Sequence, residues 1–324
     1  MEPQQNRGIS RVLEKLRNSI RSGEYYEAHQ MYRTLYFRYL GQKKYNDLKN
    51  MLYEGCLLLL DADQKGSGAD LALLLVEVLN QSEDKECAIW TPKLSTIFLK
   101  IGRNNTTERD AFLVQVFKWT SQNSSQGNAP FHQSIAKIYW EELNYSQARY
   151  HYVHSQDGKA CAKLLIEFQM VEGYKNEVDL FIAQAVLQFL CLRNQITASQ
   201  TFNTYTEQHP KIKKTGPPFL LPLLNFIWFL LQAVETKKLQ TFAILCEQYQ
   251  KSLQRDPCYV QYLDKIGQIF FGIRPPQEKR SGGIFGSFLD SFIGSLDEES
   301  DDDLAQGQQK PSTSRQPIEN SDLD

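Results

Sequence analysis

Apolar residues recur with helical spacing along most of the chain, from about residue 10 to residue 273. Leu13, Leu16 and Ile20 share one face of a first predicted helix, and later segments repeat the same period. Short polar segments rich in glycine or proline separate these stretches. No stretch shows the sustained apolar–polar alternation of a strand, so the pattern predicts an all-α fold.

An aromatic residue followed three positions later by a small or apolar residue marks several predicted helix starts. The spacing occurs at Tyr25-x-x-Ala28, Tyr45-x-x-Leu48 and Tyr145-x-x-Ala148. The large side chain packs as a knob, and the small one leaves room for the neighbouring helix. In stacked helical hairpins each repeat covers the apolar face of the next. We therefore predict an α-α superhelix, a TPR-like solenoid of helical repeats.

Three features predict where helices begin or break. Residues 61–68 are interpreted as a loop, followed by a helix with Asp70 as its N-cap. Pro92 is expected in the first turn of another helix. Residues 209–218 hold three prolines and a glycine, which excludes a helix and predicts a short hairpin or an extended loop.

These breaks divide the chain into four predicted parts. Residues 1–155 and 156–275 are N-terminal and C-terminal helical repeats, residues 276–296 are a glycine-rich amphipathic segment, and residues 297–324 are a disordered acidic tail. Apolar residues recur at helical spacing between positions 284 and 296. Two interpretations stay open for them: the stripe folds back onto the body, or it binds a partner or a membrane surface.

The charge is unevenly distributed along the chain. The formal net charge is −2, and residues 297–324 hold nine acidic and two basic residues, a local charge of −7. The remaining residues therefore carry +5, the difference between −2 and −7. A mildly basic body lacks the dense basic stripe of a nucleic-acid-binding protein, so no nucleic-acid partner is expected.

Nothing in the sequence predicts secretion or stable insertion into a membrane. The first five residues are polar, unlike a secretory signal. The most apolar run, residues 219–234, is shorter than a membrane-spanning helix and is interrupted by Pro222, Asn225 and Gln232. The six cysteines form no CxxC pair and are expected to be reduced core thiols. We expect a cytosolic protein.

Two motifs are similar to metal sites but lack part of the required pattern. One segment begins like a calcium-binding EF-hand loop, yet Lys65 and Ala72 occupy positions that need oxygen ligands. His151-x-x-His154 with Asp157 has spacing compatible with zinc but no fourth ligand nearby, so a structural role is favoured. No nucleophile motif, phosphate-binding loop or dinucleotide fingerprint occurs. The sequence predicts neither an enzyme nor a cofactor.

Basic residues follow one face of the first predicted helix. Arg7, Arg11 and Lys15 are spaced four residues apart. The first helix of a solenoid has one face without a neighbour, so the stripe suits either an acidic partner or a solvated end cap. A second basic cluster comprises Lys211, Lys213 and Lys214, and so short a run favours a solvated loop over a nuclear signal.

Four segments occur in the order found in one protein family. They are Gly23-Glu24-Tyr25-Tyr26-Glu27-Ala28-His29-Gln30, Gly66-Ser67-Gly68-Ala69-Asp70-Leu71, Leu223-Leu224-Asn225-Phe226-Ile227 and Gly282-Gly283-Ile284-Phe285-Gly286. Together they resemble the Golgi-to-ER-traffic protein four family, also called the transmembrane-domain recognition complex scaffold. The resemblance extends from about residue 12 to residue 294 and leaves out the acidic tail.

The resemblance implies a non-enzymatic scaffold in the guided entry of tail-anchored membrane proteins. The N-terminal half would dock an ArsA-type ATPase that carries the transmembrane segment of the client. The C-terminal half would hold a ubiquitin-like adaptor protein. In animals a BAG-type scaffold chaperone would join the complex and link it to quality control of exposed hydrophobic segments.

The resemblance also implies candidate contact residues. Arg11 and Lys15 match spaced basic residues on the ATPase-binding first helix of the family, and Asp70 matches an acidic residue of the ATPase-regulating surface. Ser19 stands where a further basic residue is usual. Contacts to the ubiquitin-like adaptor are expected within residues 207–271, without assignment to single side chains.

Two other functions remain open on the residues alone. A generic TPR-type co-chaperone would clamp the terminal carboxylate of a peptide, but no regular repeat of roughly 34 residues supports it. The second alternative is a helical-repeat subunit of another cytosolic complex, such as a vesicle coat.

Overall fold

The computed structural model describes residues 4–82, 87–121, 127–213 and 216–274, without the side chains of residues 4–10 and 13. These residues form fifteen helices and no strand, which confirms the predicted all-α fold for this part of the chain. The predicted segment 276–296, the acidic tail 297–324 and Lys214 lie outside the described residues.

The helix bounds follow the predicted periodicity closely. The helices are α1 (Gln4–Arg21), α2 (Tyr25–Gly41), α3 (Tyr45–Asp61), α4 (Lys65–Gln81), α5 (Cys87–Ile101), α6 (Thr106–Ser121), α7 (Ala129–Glu141), α8 (Tyr145–Val153), α9 (Gly158–Val171), α10 (Val178–Cys191), α11 (Gln195–Gln208), α12 (Pro222–Thr236), α13 (Leu239–Gln248), α14 (Gln250–Leu253) and α15 (Cys258–Phe271).

The helices of the unit Met1–Ile273 stack in two layers. Consecutive helices pack against each other, as α3 does with α4 and α7 with α8. Alternate helices also pack, as α4 does with α6, α5 with α7 and α9 with α11, and α15 covers α10. Each helix therefore buries its apolar face against its neighbours, which is the arrangement of a helical-repeat solenoid.

One three-residue connector recurs between helices. It joins α1 to α2, α2 to α3, α3 to α4, α7 to α8 and α10 to α11, and its middle residue has a left-handed backbone. The middle residues are Gly23, Lys43, Asp63, Leu143 and Arg193, with φ from 54° to 79°. In each connector the third residue donates its N–H to the carbonyl five residues earlier, which caps the preceding helix. The same turn thus sets the same hairpin geometry five times.

The fourth residue of each helix that follows this connector is buried. These residues are Ala28, Leu48, Gly68, Ala148 and Ala198. Three of them belong to the aromatic-x-x-small spacing, so that spacing does mark helix starts. Helices α3 and α4 approach each other closely at Gly68, where an added Cβ would lie 2.5 Å from the side chain of Leu60.

The connector corrects two predictions about α4. Residues 61–68 are not a loop, because the helix begins at Lys65. Asp70 is consequently not an N-cap; it lies in the second turn of α4, and the N-cap position is Gln64. The left-handed turn falls on Asp63, a residue whose side chain tolerates that conformation, so neither glycine of the segment is needed for the turn.

Pro92 was expected to open a helix, and this prediction is wrong. It lies inside α5, five residues after Cys87. As the sixth residue of α5 it lacks the N–H that would bond to the carbonyl of Ala88, so it costs the helix one intrahelical hydrogen bond. Trp90, Leu94 and Phe98 bury the surrounding turns, so tertiary packing overrides the local preference.

The described part of the 209–218 segment is a loop without strand pairing. Buried His209 places Nε2 at 3.1 Å from Oε1 of Gln169, and Nζ of Lys211 donates to the same oxygen at 3.2 Å. The side chain of Asn225 bonds to both the N–H and the carbonyl of Phe219, at 2.7 and 2.8 Å. Polar side chains therefore hold the chain between α11 and α12.

The most apolar run of the sequence forms α12 and belongs to the core. Leu223, Phe226 and Ile227 are fully buried. Among the described residues, none of the helices combines the length and apolar character that crossing a membrane requires.

Burial also raises the pKa of the Cys161 and Cys246 thiols to about 12. The prediction that all six cysteines are core thiols is wrong for Cys258, which is exposed, while Cys87 and Cys191 are half-buried.

The close contact between α2 and α3 predicts a stability difference between two glycine substitutions. Gly55→Ala should destabilise the fold by about 1–3 kcal/mol, because the new Cβ would lie 2.5 Å from the ring of Tyr32. Gly66→Ala is the matched control, since it is also helical and has no atom within 4 Å of the added Cβ. Urea unfolding of both variants measures the difference, and equal stabilities would contradict the tight packing.

Candidate docking surfaces

Helix α1 presents the predicted basic residues to solvent. Arg11 and Lys15 are exposed, while Leu16 and Ile20 on the opposite side are buried where α1 packs on α2. Residues 11–21 include four basic residues and one acidic residue, a local charge of +3. Arg7 also lies in α1, and its side chain is outside the description. Arg17 pairs with Glu54 on α3 at 2.9 Å, and the exposed Arg11 and Lys15 leave the outer side of α1 cationic.

Asp70 forms a polar bridge between α4 and α2. Its carboxylate accepts a hydrogen bond from Nε2 of His29 at 2.8 Å and from Nη1 of Arg33 at 3.4 Å. A second contact joins the same two helices, because the phenol of Tyr36 donates a hydrogen bond to Glu77. Tyr36 lies seven residues after His29 on α2, and Glu77 lies seven residues after Asp70 on α4. Equal spacing in the same order shows that α2 and α4 run parallel in matched register.

The structure does not bring the three predicted ATPase contacts into one cluster. Arg11 and Lys15 lie on α1, whereas Asp70 lies on α4, and α2 packs on both of these helices. Across the described side chains, no hydrogen bond or ion pair joins either basic residue to Asp70. The sequence reasoning missed His29 and Arg33, although their spacing of four residues places them on one face of α2.

The outer side of α2 adds exposed aromatic rings to this region. Tyr26 and Phe37 are 72% and 63% exposed. They lie seven residues before and four residues after Arg33, so all three share one helical face. We call the exposed residues Arg11, Lys15, Tyr26 and Phe37, together with the half-buried pair Arg33 and Asp70, the N-terminal surface.

Residues 207–271 expose three large apolar side chains. Leu220, Phe229 and Ile244 are 77%, 37% and 56% exposed. Leu220 lies just before α12, Phe229 lies on α12 and Ile244 lies on α13. Helices α12 and α13 pack together. We call these three residues the C-terminal surface. Its apolar character contrasts with the cationic α1.

A buried ion pair holds the last helices onto α10. Asp179 has a side chain only 1% exposed and accepts a hydrogen bond from Nη1 of Arg255 at 2.6 Å. The second guanidinium nitrogen of Arg255 donates to the carbonyl of Asn176, also at 2.6 Å. Because α12 also packs on α10, the C-terminal surface is held against the body of the solenoid.

The three side chains of the zinc-like motif point to different partners. His151 turns inward, where its Nδ1 lies 2.9 Å from Nδ1 of His132, so one imidazole donates and the other accepts. His154 donates from Nδ1 to the carbonyl of Tyr150 at 2.8 Å. Asp157 caps α9. Among the described residues, no group of three or more His, Cys, Asp or Glu side chains is suited to hold a metal ion.

Comparison with known proteins identifies the family. The model of the family Golgi to ER traffic protein 4 matches residues 42–293. The chain belongs to this family. It is 50% identical over 306 residues to the Golgi to ER traffic protein 4 homolog of Oryzias latipes, covering 94% of each chain. It is 48% identical over 293 residues to the homolog of Homo sapiens, covering 90% of this chain and 89% of that one.

A solved structure agrees with the fold. The crystal structure titled C. therm. Get4 matches with a TM-score of 0.75 and 24% identity, covering 94% of this chain and 100% of that one. This likeness confirms the predicted solenoid.

Membership of the Golgi to ER traffic protein 4 family confirms the resemblance carried by the four ordered segments. The matched range includes Asp70 and residues 207–271 but begins after Arg11 and Lys15. The relatives are named as traffic proteins, and those names describe no reaction. The division of the chain into four parts, and the contacts of both surfaces with partners, stay predictions.

The buried histidine pair predicts that acid destabilises the fold. Burial, followed by the proximity of His132 and His154, lowers the pKa of His151 from 6.5 to about 3. Below about pH 6.5 the imidazole of residue 151 binds a proton in the unfolded chain but not in the folded one. The free energy of unfolding therefore decreases as the pH is lowered. Between about pH 7.5 and about pH 5, one such histidine lowers the free energy of unfolding by about 2 kcal/mol. Urea unfolding across this range should show a flatter decline for His151→Gln, and an unchanged decline would contradict the assignment.

Proposed function

We propose that this chain is a non-enzymatic scaffold that acts in the delivery of tail-anchored membrane proteins to the ER. It bridges an ArsA-type targeting ATPase and a ubiquitin-like adaptor protein in the cytosol, and a BAG-type scaffold chaperone is the third partner in animals. Membership of the Golgi to ER traffic protein 4 family is the observation that carries the proposal. The presence of two chemically different exposed surfaces supports it.

The N-terminal surface suits an acidic patch on the ATPase. Arg11 and Lys15 are exposed on the terminal helix, and opposite charge there accelerates encounter and orients the partner. The nearby rings Tyr26 and Phe37 offer apolar area that charge alone lacks. Asp70 is already paired with Arg33 within the chain. In this proposal it contributes to ATPase binding by orienting Arg33 as well as by direct contact.

The C-terminal surface suits the ubiquitin-like adaptor. Leu220, Phe229 and Ile244 are large, exposed apolar side chains. Burying them against a partner removes apolar area from water and so favours binding. Apolar anchors in the centre of an interface usually contribute most of its affinity. The BAG-type chaperone is proposed as a partner of the same complex without assigned contacts.

The scaffold acts by holding its partners close together. Two proteins bound to one rigid body meet at an effective concentration in the millimolar range or above, which makes client transfer intramolecular. Rigidity matters here, because a flexible connection would dilute that advantage. The bridges between α2 and α4 and between α10 and Arg255 supply it at the two surfaces.

Reversing the charge of α1 should weaken binding of the targeting ATPase. Arg11→Glu combined with Lys15→Glu is expected to lower affinity at least about tenfold, because two attractive contacts become repulsive. Biolayer interferometry with purified ATPase at low and high salt measures the effect. Lys159→Glu with Lys163→Glu on α9 is the matched control, since both lysines are exposed and have the same spacing. Wild-type affinity in the α1 variant would rule out this surface.

Placing a charge in the C-terminal surface should weaken binding of the ubiquitin-like adaptor. Ile244→Asp is expected to reduce adaptor affinity at least about tenfold and to leave ATPase binding unchanged. Ile196→Asp is the control, because that isoleucine is 85% exposed and lies on α11. Titration calorimetry measures both variants, and equal losses in the two would show that the assignment is wrong.

A further inference from the structure

A gap separates α6 from α8 in the middle of the solenoid. α4 packs closely on α6, but α6 and α8 do not pack side by side in this way. The gap contains a cavity of about 600 Å³. Residues of α6 and α8 form its two walls, and residues of α7 lie between them. A volume of this size falls within the range of ligand-binding pockets.

Stacked rings form the floor of this cavity. Phe117 stacks on His132 with ring centroids 4.2 Å apart, and Tyr139 stacks on His151 with centroids 5.7 Å apart. The two imidazoles hydrogen-bond to each other, and the lowered pKa of His151 keeps that ring neutral near pH 7. The floor is therefore a broad ring surface that suits an aromatic or large aliphatic side chain, and the carboxylate of Asp110 also lines the cavity.

Apolar side chains also stand at the mouth of the cavity. Val114 on α6 is 63% exposed, and Tyr150 on α8 is 55% exposed. A bound segment that enters the gap would contact both walls.

A second depression of about 240 Å³ adjoins the first one. The two share Tyr150, His154 and Leu192, so they form one continuous groove. Arg149 and Lys265 line the second depression, and no described carboxylate does. The groove thus joins a ring-lined cavity, which holds the single carboxylate of Asp110, to a cationic end.

We propose that this groove binds a short peptide segment of a partner protein. An aromatic or large aliphatic residue enters the ring-lined cavity, and an acidic residue a few positions away lies over Arg149 and Lys265. Charge complementarity at the cationic end selects an acidic residue there, whereas Asp110 disfavours one in the ring-lined cavity. Two linked depressions suit an extended chain better than a compact small molecule. The groove involves neither α1 nor Ile244, so the inference stands independently of the proposed function.

Selection from a library of short random peptides displayed on phage tests this inference. The bait is the purified full chain, and the enriched peptides are synthesised with fluorescein for anisotropy titration. Enriched peptides should combine an aromatic or large aliphatic residue with a nearby Asp or Glu. Val114→Asp should weaken their binding at least about tenfold, because it places a carboxylate at the cavity mouth. Lys265→Glu should weaken it and remove its dependence on salt.

Two variants serve as matched controls. Val171→Asp changes a valine that is 65% exposed and lines neither depression, and Lys251→Glu reverses an exposed lysine on α14. Both should retain wild-type affinity for the same peptides. The inference is overturned if nothing is enriched, if basic peptides dominate, or if Val114→Asp and Lys265→Glu bind as tightly as the controls.

Discussion

Close approach between neighbouring helices is the constraint on which the rest of the structure depends. Each helix hides its apolar face mainly against the helices beside it, so the backbones must come near enough to exclude water. Gly55 and Gly158 show how near, because an added Cβ would lie 2.5 Å from the ring of Tyr32 and 2.8 Å from the carbonyl of Thr197. The repeated three-residue connector delivers consecutive helices at this distance. Burial and turn geometry together make the solenoid stiff.

The fold was largely predictable, because amphipathic periodicity and the aromatic-x-x-small spacing report burial directly. The errors fell where local chemistry is ambiguous. Glycines in residues 61–68 resemble a loop, yet the left-handed turn falls on Asp63 and the glycines enter α4. Pro92 signals a helix start, yet packing of Trp90 and Phe98 extends α5 before it. No single-sequence rule reports which residue will adopt a positive φ in a connector without glycine.

The candidate surfaces were only partly predictable, for a related physical reason. The exposure of Arg11 and Lys15 follows from the pattern of one helix. The pairing of Asp70 with His29 needs the register between α2 and α4, and the pairing of His132 with His151 needs the packing of α7 on α8. Contacts between helices depend on side-chain fit that periodicity does not encode. The consequence is a rigid body with a cationic first helix, an apolar region on α12 and α13 and a groove between α6 and α8.

Titration calorimetry of the targeting ATPase into the chain, alone and saturated with the ubiquitin-like adaptor, tests the bridging role most directly. Two separate surfaces on one rigid solenoid predict that the adaptor leaves the ATPase's stoichiometry unchanged and does not weaken its binding. Loss of ATPase binding in the saturated complex would mean that the partners compete for one surface, and the chain could not then bridge them.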